Sequence, residues 1–156
     1  MTKGMSVVHA GAVLLDGRGV LLMGPSGCGK STVALNLIEN YGAELIGDDR
    51  IALTVEGAAL MARPHENLHG LLEMRGLGLL RLPYCAQGEI RLVVELSVAT
   101  NLPRLAQEAY FSHDNMAIPL LQLDGHDPNT PLKIKSALMA LRAGFRDDAI
   151  YPMQDL

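Results

Sequence analysis

Cysteine is scarce in this sequence, and its scarcity excludes one class of protein. Only two cysteines occur, Cys28 and Cys85, and a single pair cannot supply the framework of a disulfide-stapled secreted domain. Such low usage fits a reducing compartment. The sequence therefore favours a protein that folds without disulfide bonds.

Signals for secretion and for membrane insertion are also missing. The N-terminus lacks the basic, apolar and small-residue pattern of a signal peptide, and no apolar run reaches membrane-spanning length. The formal net charge is −4, and no basic stretch could neutralise a run of nucleic-acid phosphates. We therefore predict a cytoplasmic protein that acts neither in a membrane nor on nucleic acid.

What the chain does contain is the composition of a folded domain. Of its 156 residues, 49% are hydrophobic and 19% are charged, and the sequence has no repeats, no low-complexity tract and no linker. The five histidines show no metal-ligand spacing, which argues against a zinc site. We predict a single domain over residues 1–156.

The most informative feature is a glycine-rich loop that fits the pattern G-x-x-x-x-G-K-[ST]. An apolar run at residues 20–23 precedes the loop and a helical pattern follows it, as a phosphate-binding loop requires. Backbone N–H groups of such a loop surround a polyphosphate, its lysine reaches the terminal phosphates, and its serine binds Mg²⁺. The sequence predicts a nucleoside triphosphate site at Gly24, Pro25, Ser26, Gly27, Cys28, Gly29, Lys30 and Ser31.

Local patterns predict strands and helices around this loop. Apolar runs at 13–15 and 20–22 flank a turn at 16–19, which predicts a β-hairpin. A helix is predicted from Lys30 to near Gly42, with one apolar face. A last helix is predicted to begin with Thr130 as its cap and Pro131 at its first position, and to run to about residue 143. Further strands are predicted at 44–46, 51–55, 58–61, 90–96 and 117–123, and residues 63–81 are predicted to be largely loop-like.

Acidic residues in two places suit a magnesium ion or proton transfer. Asp48 and Asp49 follow a short apolar strand, and one crossover helix would bring them beside the glycine-rich loop. The alternative for this pair is a solvated turn, and we expect one of the two to be catalytic and the other structural. Glu95 follows the apolar residues 92–94 of a predicted strand, a pattern typical of a magnesium-binding acid. The alternative for Glu95 is a carboxylate that faces water. Glu73, between apolar neighbours, fits a surface residue as well as a metal ligand.

In their order and spacing these features resemble the catalytic domain of the HPr kinase/phosphorylase family. The resemblance rests on His9, the loop 24–31, Asp-Asp-Arg at 48–50 and Leu-Glu-Met-Arg-Gly-Leu-Gly at 72–78. It implies an α/β fold of the P-loop NTPase type, similar to phosphoenolpyruvate carboxykinase, with a mixed sheet and flanking helices. It also implies an enzyme that uses ATP and Mg²⁺ to phosphorylate a serine of HPr, a phosphocarrier of the sugar phosphotransferase system.

The resemblance implies roles for single residues. Asp48 matches the family's proton acceptor, and Lys30 and His9 match active-site positions. Ser31 and Glu73 match Mg²⁺ positions, and Asp48 is placed with them. An aspartate serves as the acceptor if its pKa stays low beside Lys30 and Mg²⁺.

Arg104 is the remaining match, in the context Leu-Pro-Arg-Leu. It corresponds to a catalytic arginine, although Pro103 stands where the family has an acid. Taken by itself, Arg104 fits either a solvated loop arginine or a clamp on the transferring phosphoryl group.

Two departures from the family pattern carry expectations. The sequence starts just upstream of His9, so the N-terminal domain of longer members is not expected. Longer members also carry a Pro-Val-Arg-Pro-Gly-Arg-like stretch linked to phosphorolysis, and residues 123–129 here have acids and polar residues instead. Such acids would repel inorganic phosphate, so we expect kinase activity to be kept and phosphorylase activity to be weak or lost.

Partners and competing functions follow from the same comparison. The resemblance implies an HPr-like partner, a homo-oligomer that is typically a hexamer, and a last helix that helps to engage HPr or packs in the core. One alternative is a P-loop kinase for a small metabolite, which would need an arginine-rich lid that the sequence does not display. The others are a non-catalytic switch that senses ATP and a carboxykinase-like metabolic enzyme, for which 156 residues leave little room.

Overall fold

A computed structural model describes residues 4–65, 69–98, 102 and 107–142. Within these residues the chain forms ten strands and two helices. No helix in this part of the chain is both long and apolar enough to cross a membrane. The elements are β1 (Ser6–Leu15), β2 (Arg18–Met23), α1 (Lys30–Tyr41), β3 (Glu44–Gly47), β4 (Arg50–Glu56), β5 (Ala59–Pro64), β6 (Leu71–Met74), β7 (Gly78–Arg81), β8 (Gly88–Ser97), β9 (Tyr110–His113), β10 (Met116–Asp124) and α2 (Thr130–Arg142).

Five of the strands form a closed ring because two of them change partners along their length. The first four residues of β1 pair antiparallel with β4, and its remaining residues pair antiparallel with β2. The start of β8 pairs antiparallel with β5, and its later residues pair parallel with β2 and with β10. Since β4 also pairs with β5, hydrogen bonds run around β1, β2, β8, β5 and β4 without an open edge.

The alternation of side chains along the strands builds two apolar cores. Successive residues of a strand point to opposite faces, so Leu21 of β2 joins one core while Val20 and Leu22 join the other. The first core consists of strand residues alone, among them Leu53 of β4. The second lies between strands and both helices and includes Leu37 of α1, together with Val33, Ala34, Ile38, Ile134 and Leu138. The predicted apolar face of the first helix is thereby confirmed.

Parallel pairing of β2, β8 and β10 places the glycine-rich loop. Parallel strands end at the same edge of a sheet, and the chain leaves these three strands at Met23, Ser97 and Asp124. The segments that follow therefore meet, as shown by the N–H of Gly125, which donates to the carbonyl of Ser97 at 3.0 Å. Edges of this kind are where ligands bind in open α/β sheets.

Three details of the predicted elements were wrong or missing. Residues 63–81 are not largely loop-like, because they contain the end of β5 and a β6–β7 hairpin in which Leu71 pairs with Arg81 and Met74 with Gly78. Strand β9 was not predicted. The Asp114-Asn115 pair at its turn is a sequence signal for a type I′ hairpin, and the two residues have the positive φ of 45° and 67° that this turn requires.

The start of the last helix also differs from the prediction. Helix α2 begins at Thr130, and the Thr130 hydroxyl donates to the carbonyl of Asp124 at 2.5 Å instead of capping the helix. Thr130 is fully buried, so its hydroxyl ties the helix to the end of β10. The predicted end of this helix, at residues 143–144, lies outside the described residues.

Candidate active site

The glycine-rich loop, residues 24–31, turns sharply between β2 and α1. Gly24, Gly27 and Gly29 have φ of 141°, 82° and 100°, values that residues with a side chain rarely adopt. Helix α1 begins at Lys30, and the ammonium of Lys30 donates to the carbonyls of Gly24 at 2.5 Å and Pro25 at 3.1 Å. The loop thus holds a fixed cation at a helix N-terminus, where the helix dipole favours anions.

A cavity of about 430 Å³ opens beside this loop. Five residues proposed for catalysis or metal binding from the sequence line it together, although they come from four different segments: His9, Lys30, Ser31, Asp48 and Glu73. From the loop, Ser26, Gly27 and Gly29 also line the cavity, whereas Gly24, Pro25 and Cys28 do not belong to its lining. Arg104 lies outside the described residues.

Asp48 lies in the wall of the cavity, beside Glu73. It follows β3, and one carboxylate oxygen accepts a hydrogen bond from the backbone N–H of Glu73 at 3.3 Å. Burial raises the pKa of Asp48, the negative charges of Asp49 and Glu73 raise it further, and the N–H groups of Glu73 and Asp49 lower it in part. In this structure, where Lys30 bonds to loop carbonyls, the pKa of Asp48 is therefore raised, whereas the prediction of a low pKa concerned Asp48 beside Lys30 and Mg²⁺.

Asp49 holds His9 at the rim of the cavity. Nε2 of His9 lies 3.3 Å from a carboxylate oxygen of Asp49. The two residues are adjacent because β1 pairs with β4 through His9 and Arg50, and the N–H of Ala10 donates to the carbonyl of Asp49 at 3.0 Å. Asp49 has φ of 70°, a conformation that aspartate tolerates better than most residues. Asp48 and Asp49 thus have different surroundings although both line the cavity, and the division into one catalytic and one structural aspartate stays a prediction.

The lining suits a magnesium ion that takes a few oxygen ligands from the protein and the others from bound phosphates. The Ser31 hydroxyl and the carboxylates of Asp48 and Glu73 are oxygen donors of the kind that Mg²⁺ prefers. Among the described residues, no group of three or more His, Cys, Asp or Glu side chains is arranged to hold a metal. Mg²⁺ in phosphate sites is commonly bound by one or two carboxylates plus substrate phosphates, so these residues fit that mode.

Four lining residues were given no role from the sequence: Thr32, Met74, Arg75 and His126. Thr32 directly follows the predicted loop, and Met74 and Arg75 come next after Glu73 in the motif at 72–78, which is a signal that could have been used. His126 lies in the stretch 123–129 that was compared with the family, but its approach to the glycine-rich loop depends on the meeting of two distant segments. Glu95 is exposed, accepts from the amide of Gln122 at 3.2 Å and is not part of the lining, which confirms the interpretation of a carboxylate facing water.

Comparison with known families agrees with the motifs that line the cavity. Residues 3–124 match the model of the HPr serine kinase C-terminal domain. The chain belongs to this family. An HPr kinase/phosphorylase of Chlorobium chlorochromatii is 36% identical over 128 residues, which cover 74% of this chain and 38% of that protein. One from Treponema pallidum is 31% identical over 146 residues, covering 85% of this chain and 46% of that protein. This member of the HPr serine kinase family therefore spans less than half the length of those relatives.

A solved structure of the family has the same fold. The HPr(Ser) kinase/phosphatase of Coxiella burnetii superposes with a TM-score of 0.78 at 25% identity, covering 89% of this chain and 97% of that one. Its likeness confirms a mixed α/β fold with a central sheet and two helices.

Proposed function

We propose that the protein is an ATP-dependent kinase that phosphorylates a serine hydroxyl of an HPr-like phosphocarrier. The observation that carries the proposal is the cavity in which the lysine of the glycine-rich loop and the half-buried carboxyl of Asp48 face the same space. Membership of the HPr serine kinase family supports the choice of substrate. A cytoplasmic location, a homo-oligomer such as a hexamer and the lack of a nucleic-acid partner remain predictions.

Several lining residues have a task in this reaction. The N–H groups of the glycine-rich loop and the Lys30 ammonium bind the phosphates, with Lys30 exchanging its carbonyl partners for phosphate oxygens. Ser31 and Glu73, with Asp48, would hold a Mg²⁺ ion, which supplies positive charge to the transferring phosphoryl group. Asp48 accepts the proton of the serine hydroxyl, and its raised pKa makes it a stronger base than a fully exposed aspartate. His9, held by Asp49, lies at the rim and completes the set.

Incubation with γ-labelled ATP, Mg²⁺ and purified HPr tests this proposal. The expected result is label on HPr that peptide mapping assigns to a serine. ATP consumption without labelled HPr would indicate a kinase for a small molecule. Nucleotide-dependent binding of HPr without transfer of label would indicate a non-catalytic switch. Either outcome contradicts the proposal.

Phosphorolysis is expected to be weak, for a reason that differs from the one the sequence suggested. Asp124 accepts the N–H of His126, and Asp127 accepts the N–H of Asn129 and pairs with Lys133 at 3.2 Å. These acids are engaged locally and are not part of the cavity lining, to which their loop contributes His126 in place of an arginine. Inorganic phosphate therefore gains little positive charge from this side.

Phosphorylated HPr incubated with the protein, Mg²⁺ and inorganic phosphate measures that reaction. We expect pyrophosphate release at least about tenfold slower than kinase turnover under matched conditions, because a charge-assisted hydrogen bond to phosphate contributes about 1.5–3 kcal/mol. Omitting phosphate controls for hydrolysis. Pyrophosphate release as fast as the forward reaction would refute the expectation.

A further inference from the structure

The segment that joins β10 to α2, from Asp124 at the end of β10 to Asn129, packs backbone to backbone against the glycine-rich loop and is called the β10–α2 loop. A Cβ atom placed on Gly125 would overlap the carbonyl oxygen of Cys28, and one placed on Gly29 would overlap the carbonyl oxygen of Gly125. Glycine on both sides is what allows this approach. The two loops are therefore in direct contact beside the cavity.

The β10–α2 loop is itself held in place by short-range hydrogen bonds. A carboxylate oxygen of Asp124 accepts the N–H of His126 at 2.8 Å, and one of Asp127 accepts the N–H of Asn129 at 2.8 Å. The N–H of Gly125 donates to Ser97 at the end of β8, at 3.0 Å. Bonds of this kind fix a turn through its own side chains, so the loop is a firm support for whatever it contacts.

His126 forms the polar contact between the two loops. Its Nε2 lies 3.0 Å from the carbonyl oxygen of Gly27, and because a carbonyl can only accept, Nε2 carries the hydrogen. The next N–H along the chain, that of Cys28, donates to the carbonyl of Pro25 at 3.2 Å. Both polar groups of the peptide between Gly27 and Cys28 are thus bonded.

This peptide needs such support because of its glycine. Gly27 has φ of 82°, a Cβ at Gly27 would meet nothing within 4 Å, and glycine populates several backbone wells at similar free energy. Without the bond from His126, this peptide keeps the bond from the N–H of Cys28 to Pro25 but loses the one at its carbonyl, so we expect the Gly27 carbonyl to turn more readily toward the cavity. A carbonyl oxygen in that place would repel a phosphate.

We propose that His126 is a positioning residue that keeps the Gly27 carbonyl turned away from the phosphate site. The inference rests on the proposed nucleotide-binding function and adds to it a residue from a distant segment. His126 acts through the loop and not on the reacting atoms. It should therefore affect nucleotide affinity much more than the rate of phosphoryl transfer.

Three substitutions at one position separate the hydrogen bond from the shape of the ring. His126→Gln keeps an N–H donor at the same distance from the backbone as Nε2, His126→Asn is one carbon shorter, and His126→Phe keeps a ring without a donor. Loss of one hydrogen bond should weaken binding of a fluorescent ATP analogue with Mg²⁺ by about three- to tenfold in the Asn and Phe variants. The Gln variant should bind within about twofold of wild type, and kcat should change by less than about twofold in all three.

The controls keep this test apart from that of the proposed function. His65→Asn makes the same chemical change at an exposed residue that does not line the cavity, and we expect wild-type affinity from it. The melting temperature of each variant reports on folding. If the wild type binds no nucleotide, the proposed function fails and this inference with it. The role of His126 is refuted if the wild type binds nucleotide but the Asn and Phe variants bind equally well, or if the Gln variant is as impaired as the Phe variant. Neither result would contradict the proposed function.

Discussion

Replacing Asp48 with asparagine is expected to reduce phosphoryl transfer to HPr by about 10²- to 10⁴-fold, the range typical of a lost general base. Asparagine cannot take the proton of the serine hydroxyl, yet its side-chain oxygen can still accept the N–H of Glu73 that Asp48 binds at 3.3 Å. Affinity for ATP should stay within a few-fold of wild type, since the loop and Lys30 are unchanged. Single-turnover kinetics and equilibrium binding measure the two effects separately.

The same substitution should leave the fold as stable as before or make it more stable. Because the pKa of Asp48 is raised in the folded state, its neutral form favours folding and its ionisation opposes folding. That contribution is fully present below the unfolded pKa of about 3.9 and is lost as the pH rises through the folded value. Asparagine stays neutral, so the melting temperature of the variant should be equal or higher at neutral pH. The difference should shrink as the pH falls toward about 4.

Asp114→Asn is the matched control for this prediction. Asp114 is exposed in the β9–β10 turn, does not line the cavity, and has a positive φ that asparagine also tolerates. It should change neither transfer nor binding. An Asp48→Asn protein that binds ATP and labels HPr at a near wild-type rate would refute the assignment of Asp48 as the base.

Local signals were sufficient for the elements that flank the site. The predicted hairpin is confirmed by pairing of Leu15 with Arg18, which limits its turn to Asp16 and Gly17 instead of 16–19, and Gly42 ends α1 with φ of 74°. These features depend on a few consecutive residues, namely glycine where φ is positive and apolar residues at helical spacing. For the same reason Lys30, Ser31 and Asp48, which sit at the ends of such elements, were predicted to meet and do meet.

Features that depend on distant segments could not be predicted in this way. Closure of the strand ring requires β8 to pair with β5 at its start and with β2 further along, and no local pattern in an apolar strand encodes its neighbours. The raised pKa of Asp48 depends on its burial and on the nearby charge of Glu73, which are tertiary properties, as well as on the charge of Asp49. The contact of His126 with Gly27 joins the segments that follow β10 and β2, and only the order of strands in the sheet brings these segments together.

The contact between Gly125 and the glycine-rich loop gives the second large expected effect. In Gly125→Ala the new methyl group would overlap the carbonyl oxygen of Cys28. The position of a Cβ atom is fixed by its own backbone and the carbonyl is itself backbone, so neither group can rotate away. The N–H of Gly125 is bonded to Ser97 at 3.0 Å, so relief requires a shift of the glycine-rich loop. Overpacking of this kind costs about 1–3 kcal/mol. We expect the melting temperature to fall by about 3–10 °C and nucleotide affinity to fall by about tenfold or more.

Two other glycines distinguish distortion of the site from general instability. Gly4→Ala adds a methyl group with nothing within 4 Å and without a positive φ, so stability and affinity should match wild type. Gly57 has φ of 64° in the β4–β5 turn and open space around it. Gly57→Ala should therefore lower the melting temperature through backbone strain of about 1–2 kcal/mol while nucleotide affinity is kept. If Gly125→Ala instead lowered the melting temperature but bound nucleotide as well as Gly57→Ala does, the two loops would not be coupled at the phosphate site. Loss of affinity in Gly125→Ala alone would establish that the end of β10 shapes the loop that binds phosphate.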